Sequence, residues 1–444
     1  MLGILRTDYM RAVPAAAQPG AETAEQWKNV EVNTISCSFA GLSPLVGDFH
    51  QYLQQHQRLV TQTRSADELS RTITGNIERS TSGVDVPAAL AAAVAAWRAQ
   101  LAAHYGRFCE DYSRAHPGVN PTQLQPVVLV VVQENERNTG DQYKLLFELL
   151  RAHDIRSIRR THAQVHDALE LVDVAAAPGA DRVPPFAVLE GQYLCAVVYY
   201  RSAYVPEDYP TEATWRARLL LERSNAVKCP SVPYHLLTFK KIQQLLFSDP
   251  ERVLRDLGLG GDAAAAALVQ QHFMPQYSLN RHEYAAGAGD PEAYIQQAIA
   301  APDDYVLKPQ LEGGGNLIAG AEMVALLAQT TETDHPALYH KIRQEYILMR
   351  RINFPVVTGV VFRHGEIHVL QQNLCSELGV YGTILSDGRY DASHNAGQQQ
   401  EQGGSHHHYH NAVAGYIVRS KPADVADGGV MAGVACLDCA LLVD

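Results

Sequence analysis

Tyr305-Val-Leu-Lys-Pro-Gln-Leu-Glu-Gly-Gly-Gly-Asn316 is the stretch from which the rest of the chain can be read. Residues 305–307 are a short apolar run suited to a buried strand, which delivers Lys308 and Glu312 to the edge of three consecutive glycines. The successive N–H groups of Gly313, Gly314 and Gly315 can wrap an anion at close range, with no Cβ in the way. A lysine supplies a point charge for phosphate. A carboxylate beside it suits Mg²⁺, which is commonly held by one or two carboxylates plus substrate phosphates. A surface loop with incidental charges is the other reading of a glycine triplet, and the surrounding chain has to decide.

A length of 444 residues predicts two or three domains. Hydrophobic content of 46% with 19% charged residues is ordinary for a globular protein. The net charge of −12 and pI near 5.9 argue against a nucleic acid or an anionic membrane as partner. A membrane-spanning helix needs about 20 apolar residues; the longest apolar run, over 88–97, reads instead as an alanine-rich helix. Met1-Leu-Gly-Ile-Leu-Arg6 lacks a basic region followed by a long apolar core, so no secretory signal is expected. Seven cysteines at wide spacing form no disulfide framework, and a reducing cytoplasm is the expected compartment.

Residues 2–5 read as a strand in progress, followed at once by Arg6-Thr7-Asp8-Tyr9-Met10. A polar loop over 13–26 leads to a second strand, Val30-Glu-Val-Asn-Thr-Ile-Ser-Cys-Ser38. Side chains alternate faces in a strand, so Glu31 and Asn33 share one face and Val30 and Val32 take the other. Two oxygen ligands so placed could grip a metal; a half-buried strand with a solvated polar face is the plainer alternative. Residues 48–115 read as helices, with Pro87 where a first helical turn accepts it and strong helix formers over 88–104.

At Gln125 the character changes. Residues 127–132 are a continuous β-branched and apolar run, as expected for a strand buried on both faces of a parallel sheet. A polar segment over 133–142, a helix over 143–152 and strands over 155–159, 186–189 and 194–199 predict a small α/β layer domain. Ligands in such sheets bind beyond the carboxyl ends of strands. That places Glu136, Asn138 and Gln142 after one strand, and Arg201 and Tyr204 after another. Asp141 reads equally well as a helix cap.

Helices are expected over 215–226 and 238–247, and residues 250–301 read as mostly helical. Beyond the glycines, residues 321–327 read as helix and 346–349 as a strand ending in Arg350-Arg351-Ile352. Residues 354–361 and 367–370 suggest an antiparallel pair turning at His364-Gly365, and Ser376-Glu-Leu-Gly379 opens another strand over 380–385. Residues 386–414 form a low-complexity insertion containing Ser405-His-His-His-Tyr-His410, a setting that gives a metal no rigid geometry. Cys436-Leu-Asp-Cys439 is a single CxxC with no second pair. The tail joins a basic strand, Arg419-Ser-Lys421, to a second glycine loop, Ala426-Asp-Gly-Gly-Val-Met-Ala-Gly433. Two glycine loops with several lysines favour a nucleotide site.

Five segments in order, Val30-Glu-Val-Asn-Thr-Ile-Ser-Cys-Ser-Phe39, Glu136-Arg-Asn138 with Asp141-Gln142, Lys308-Pro-Gln-Leu-Glu-Gly-Gly-Gly-Asn316, Ser376-Glu-Leu-Gly379, and Arg419-Ser-Lys421 with Asp427-Gly-Gly-Val430, together resemble the eukaryotic glutathione synthetase family of ATP-grasp ligases. The resemblance implies an α/β (α+β) ATP-grasp fold: 1–125 as the N-terminal part of the catalytic core, 126–240 as an inserted small parallel α/β substrate-binding domain, and 241–444 as the C-terminal ATP-grasp region carrying the insertion at 386–414. It also implies ligation of γ-glutamylcysteine to glycine through an acyl phosphate, with ATP as co-substrate, Mg²⁺ as cofactor and a homodimer as the assembly.

By the same resemblance Glu31, Asn33 and Glu312 hold Mg²⁺, and Arg419, Lys308 and Glu312 are catalytic. ATP meets Glu31, Lys240, Lys308, Gly313, Gly314, Gly315, Asn316, Met349, Ile352, Glu377, Lys421 and Asp427. The dipeptide and acceptor meet Arg6, Ser36, Ser38, Glu136, Asn138, Gln142, Arg201, Tyr204, Arg419, Val430 and Met431. Arginine suits the substrate carboxylates because its fork binds them bidentately. Leu317 and Ala319 depart from the family pattern after the glycines, Arg350 from an often acidic position, and Met431 from a small residue near the acceptor. The family places a largely helical segment ahead of the first strand, whereas Met1 falls where sheet is already expected. A sister ligase with another small acceptor, and a relative that only binds nucleotide, are the alternatives.

Overall fold

Leu2 and Ile4 are buried on one face of β1 (Leu2–Ala12), and the same alternation carries Arg6 and Asp8 onto that face further along. One side of one strand thus passes from hydrophobic core to charged site. The computed structural model describes residues 1–13, 26–55, 76–175, 183–256, 262–284, 289–311, 316–329, 332–363, 366–386, 410–425 and 428–442. Glu312, Gly313, Gly314, Gly315, Asp427, the turn at His364 and Gly365, and the histidine tract as far as Tyr409 lie outside the described residues.

The first sheet is antiparallel. β1 lies between β2 (Gln26–Asn33) and β15 (Glu366–Leu385); β15 in turn pairs with β16 (His410–Pro422) and β14 (Val357–Arg363), and β16 with β17 (Cys436–Asp438). The second sheet has the order β5-β4-β8-β7-β6, built from β4 (Gln125–Val131), β5 (Arg156–Arg160), β6 (Leu169–Val172), β7 (Phe186–Leu189) and β8 (Tyr193–Tyr200), with β9 (Val227–Cys229) on β8. The third is β10 (Gln276–Ser278), β13 (Tyr346–Arg350), β11 (Tyr305–Pro309) and β12 (Ile318–Ala319). A short pair joins β3 (Asn76–Ile77) to β18 (Leu441–Leu442).

Helix α1 (Ser43–Gln55) precedes α2 (Ser82–Ala115), which packs against both of the larger sheets. Among the described residues α2 alone is long and apolar enough to cross a membrane by length and composition, a span the sequence reading did not expect. Here Leu90, Val94, Trp97, Phe108 and Tyr112 are instead buried in a single cluster with Ile4 and Tyr381 from the first sheet and Val128, Val130 and Phe186 from the second. The second sheet carries α3 (Thr139–His153), α4 (His162–Ala168) and α5 (Glu212–Arg223), and α6 (Lys240–Ser248) leads toward the third.

Several expectations change. The second strand stops at Asn33 rather than Ser38, and the chain turns through positive φ at Ser36 and Phe39 on its way to α1. Pro87 lies inside α2, which starts at Ser82. The second sheet is mixed: β4, β5, β8 and β9 are mutually parallel, but β6 and β7 add antiparallel. β10 interrupts the region read as helical over 250–301. The pieces read separately over 367–370 and 380–385 are one strand, β15. β16 begins at His410, inside the segment read as low complexity.

Candidate active site

Register alone gathers the charged residues. Arg6 and Asp8 stand two apart on β1; across from them on β2 are Asn33 and Glu31, and on β15 Tyr381 and Gly379. Glu377 is the next residue on that face of β15, and Arg419 and Lys421 on β16 lie opposite Glu377 and Cys375. The contacts follow. Arg6 forks onto Asp8, Nε to Oδ1 at 2.7 Å and Nη2 to Oδ2 at 2.8 Å. Arg419 Nη2 donates to Asp8 Oδ2 at 2.7 Å and to Glu377 Oε1 at 2.9 Å. Asn33 Nδ2 donates to Asp8 Oδ2 at 2.9 Å and Glu31 Oε1 at 3.1 Å, and Lys240 Nζ reaches Glu31 Oε2 at 3.2 Å. Gly379 permits this closeness, since a Cβ there would stand 2.7 Å from Asp8 Oδ1 and 2.8 Å from Arg6 Cδ.

A bulge adds one more cation. The β1–β2 register steps from Asp8 opposite Glu31 to Tyr9 opposite Asn29, leaving Val30 as the extra residue. Its carbonyl, outside the ladder, accepts from Lys308 Nζ at 2.7 Å. The bulge also turns Val30 toward the pocket beside Glu31, where strict alternation would have sent it to the far face. Asn29 Nδ2 holds the bulge by donating to the carbonyls of Asp8 and Glu31, both at 3.3 Å.

Burying three carboxylates costs several kcal/mol per ion unless partners repay it. Here Arg6, Arg419, Lys240 and Lys308 face Asp8, Glu31 and Glu377, so a chain of net charge −12 presents a locally positive pocket. Burial by itself would raise the Glu31 pKa; Lys240, Lys308, Arg419 and Arg6 outweigh it and hold the carboxyl far below the usual range. At Glu377 burial wins over Arg419, with Asp8 and Glu31 adding repulsion, and its carboxyl is pushed up. Burial opposes the Arg6 charge, yet Asp8 raises its pKa well above the ordinary guanidinium value.

The turn after β2 connects this face to the second sheet. Asp141, in the first turn of α3, does not cap that helix; its carboxylate accepts from Phe39 N at 2.8 Å and Gly41 N at 2.7 Å. Arg201, beyond the end of β8, is buried and donates from Nη2 to Ser38 Oγ at 3.1 Å and Asp141 Oδ2 at 3.4 Å, and from Nη1 to the Cys37 carbonyl. Arg6 Nη1 reaches the Ser38 carbonyl at 3.4 Å and Tyr381 OH donates to it at 2.6 Å. Asn138 Nδ2 joins at Asp141 Oδ2, 3.2 Å away, and Glu136 Oε1 accepts from Asn138 N at 2.7 Å. Gln142 Oε1 accepts from Arg159 Nη2 at 2.9 Å. Ser36 Oγ, Gln142 Nε2, Arg201 Nε and Arg419 Nε are buried without a hydrogen-bond partner. Such orphans are uncommon in native proteins and are commonly satisfied by an ordered water or a bound ligand. Tyr204 has its N–H on Asp208 Oδ2 at 3.0 Å and packs against the hydrophobic cluster of the second sheet.

Beside the charged face is an apolar slot. Met10, Val30, Val306, Leu317, Ala319, Met349 and Ile352 line it, and Lys240, Lys308, Glu377, Lys421 and Asn316 close it with polar groups. Leu317 and Ala319, which depart from the family pattern, thus form the apolar wall. Arg350 is not in the slot: it lies over the Tyr305 ring at 5.0 Å and 3.8 Å from Asp304 Oδ2 on the outer side of β13, while Arg351 faces inward. The second glycine segment reaches the slot through Gly428, Gly429 and Ala435; Val430 and Met431 do not line it, and Met431 is 40% exposed. The structure therefore gathers the expected residues of β1, β2, α3, β8, β11, β15 and β16, and leaves Val430 and Met431 outside. Asp8 is the central residue that the sequence reading missed. Alternation along the strand puts Asp8 on the face of Leu2, Ile4 and Arg6, but that pattern does not show its cross-strand partners.

The charged sheet face is continuous with the apolar slot, and Lys240, Lys308 and Lys421 line the place where the two meet. The family model "Eukaryotic glutathione synthase, ATP binding domain" matches residues 1–442, and the chain belongs to that family. It is 34% identical to the chloroplastic glutathione synthetase of Solanum lycopersicum, over all of this chain and 64% of that protein, and 34% identical to that of Arabidopsis thaliana, over all of this chain and 65% of that one. It is 33% identical to the glutathione synthetase of Homo sapiens over 98% of this chain and 74% of the human protein. The chain thus spans just under two thirds of the plant relatives. Its fold resembles that of a glutathione synthetase-like effector from Globodera pallida in apo form, with a TM-score of 0.57 and 15% identity over all of this chain and 76% of that one.

Proposed function

We propose that the chain is a glutathione synthetase, joining γ-glutamylcysteine to glycine with hydrolysis of ATP to ADP and phosphate, and that it works as a cytoplasmic homodimer. The observation carrying this reading is Arg6, which touches both the Asp8–Arg419–Glu377 network and the Ser38–Arg201 cluster. It joins a phosphate-sized cationic site to one suited to an acidic dipeptide. The same division supports three regions, 1–125 and 241–444 as the catalytic core and 126–240 as the substrate-binding part, with Arg6, Ser36 and Ser38 reaching the dipeptide and Lys240 the phosphates across those boundaries.

Mg²⁺ fits the donor set. Glu31 is held ionised by Lys240, Lys308 and the arginines, and Asn33, whose Nδ2 donates to Glu31 and Asp8, keeps its Oδ1 as a second hard oxygen of the kind Mg²⁺ prefers. Glu31, Asn33 and, from the glycine-rich segment, Glu312 would hold it. When bound, it would neutralise phosphate oxygens and orient them for in-line transfer. The residues of the chain supply the rest. Lys240 and Lys308 give point charges to the phosphates, and Met349, Ile352 and Leu317 exclude water around the adenine. Arg6, Arg201 and Arg419 clamp the dipeptide so that its cysteinyl carboxylate meets the transferring phosphoryl group. Attack of the glycine amine on the acyl phosphate then forms the amide and expels phosphate, a sequence that rests on positioning and charge neutralisation rather than a protein nucleophile.

ADP release by the purified chain with γ-glutamylcysteine is expected to depend on glycine and to be much slower with alanine or β-alanine. A well-folded sample showing no amino-acid-dependent turnover would refute the ligase reading, and a preference for another acceptor would make it a sister ligase. Glu312→Ala is expected to abolish turnover with Mg²⁺ while leaving the circular-dichroism spectrum unchanged; a near-normal rate would remove Glu312 from the metal set.

A further inference from the structure

At the edge of the first sheet, away from the pocket, three side chains of different chemistry converge. A nitrogen of His50 on α1, an oxygen of Asp438 at the end of β17 and Sγ of Cys439 just beyond it all lie within 4.8 Å of one another. His50 Nε2 is 3.4 Å from Asp438 Oδ1. In a tetrahedral site with ligand bonds of about 2.0–2.3 Å, neighbouring donor atoms stand roughly 3.3–3.8 Å apart. One pair already meets that spacing, and the third donor needs an adjustment of at most about 1 Å at a residue following a strand. The carboxylate is already oriented: Asp438 Oδ2 accepts from Ser420 Oγ at 2.8 Å and Oδ1 from Cys439 N at 2.8 Å. Outer hydrogen bonds of this kind fix the ligands in metal sites.

We propose that His50, Asp438 and Cys439 form a binding site for Zn²⁺, or another borderline-soft divalent ion, that ties α1 to the end of β17. Sulfur with imidazole and one carboxylate selects for Zn²⁺ over Mg²⁺, which takes oxygen ligands. Three protein ligands leave the fourth position to water. Burial and the Asp438 charge push the Cys439 thiol up to about 12. Forming the metal–sulfur bond replaces the S–H bond of the thiol and releases its proton to solvent. Cys436 is turned away, with Sγ on the Ser420 carbonyl at 3.3 Å, so the site uses one cysteine of the CxxC.

The test is titration of the chelator-stripped full chain with Co²⁺, a spectroscopic stand-in for Zn²⁺. The expected result is a near-ultraviolet thiolate-to-cobalt charge-transfer band together with tetrahedral visible bands, displaced by one equivalent of Zn²⁺ and indifferent to Mg²⁺. Cys439→Ser removes the charge-transfer band, His50→Ala weakens binding at least tenfold, and Cys436→Ser leaves both unchanged. His50 is 30% exposed on a helix, so its variant tests the site without disturbing the strand. A wild-type chain with no charge-transfer band, or a band that survives Cys439→Ser, overturns the proposal. Visible bands without a thiolate band overturn it too, since they mark binding by the histidine-rich tract alone.

Discussion

Asp8 is fully buried and accepts from Arg6, Arg419 and Asn33 at once, so its charge is what lets two guanidiniums stand side by side. Replacing it by asparagine keeps the shape and removes the charge. Breaking a buried charge network by taking away one partner typically costs about 3–5 kcal/mol. Asp8→Asn is therefore expected to lower unfolding free energy in urea by roughly 2–4 kcal/mol, allowing for the hydrogen bonds the amide can keep. As a positioning residue it should also raise KM for γ-glutamylcysteine at least tenfold with a smaller change for ATP, because Arg6 and Arg419 are the groups set adrift. Wild-type stability in this variant would show that the arginines do not rely on Asp8. Glu31, Asn33 and Arg419 were legible as residues because their local motifs are distinctive. Asp8 was not, because its importance lies in cross-strand partners up to 411 positions away. Asp141 stayed open for the same reason: its first-turn position allows a cap, and only the fold shows it holding Phe39 and Gly41.

Strands β1 and β15 carry Arg6, Asp8 and Glu377 of the charged face, and Gly379 on β15 leaves room for the Asp8–Arg6 pair. An added methyl would press on Asp8 Oδ1, Arg6 Cδ and, at 3.0 Å, Ile417 Cγ2. Overpacking of this kind costs about 1–3 kcal/mol. Gly379→Ala is expected to lower Tm by several degrees and to reduce kcat/KM more than tenfold, measured by thermal melting and ADP release. A fully active alanine variant would mean the pair relaxes without functional cost. Apolar runs and alternation made the elements themselves legible in the second sheet, where β4, β7 and β8 lie close to where the pattern puts them. The pattern gives less warning of irregularity. The bulge at Val30 and the turn at Ser36 depend on Lys308 and Asp141, which lie on other elements, and β10 is too short to show a period.

Over the whole molecule, α2 is buried in one cluster with both larger sheets, so loss of either sheet exposes apolar surface on the other and stability is shared. Two histidines make that stability depend on pH. His162 and His235 are both lowered to about 4, first by burial and then by the Arg218 charge, and the Nε2 of each is buried without a partner. The folded state thus resists protonating them, while the unfolded chain takes up those protons near pH 6.5. Between about 6.5 and 4 the unfolded state binds more protons, so folding stability is fully present above this window and is lost as pH falls through it. Each histidine contributes a slope of up to about 1.4 kcal/mol per pH unit. Glu31 acts in a different window: its depressed carboxyl pKa stabilises the fold above the unfolded value near 4.3 and is lost only below it. Melting the chain at pH 7 and pH 5 is therefore expected to show a substantial fall in Tm due to histidine rather than carboxylate protonation. His235→Gln should cut that fall by about half, because it removes one of the two titrating groups while the other keeps its burial beside Arg218. An unchanged fall in the variant would place the acid sensitivity elsewhere, whereas loss of the entire difference would mean that His162 takes up its proton as readily in the folded chain as in the unfolded one.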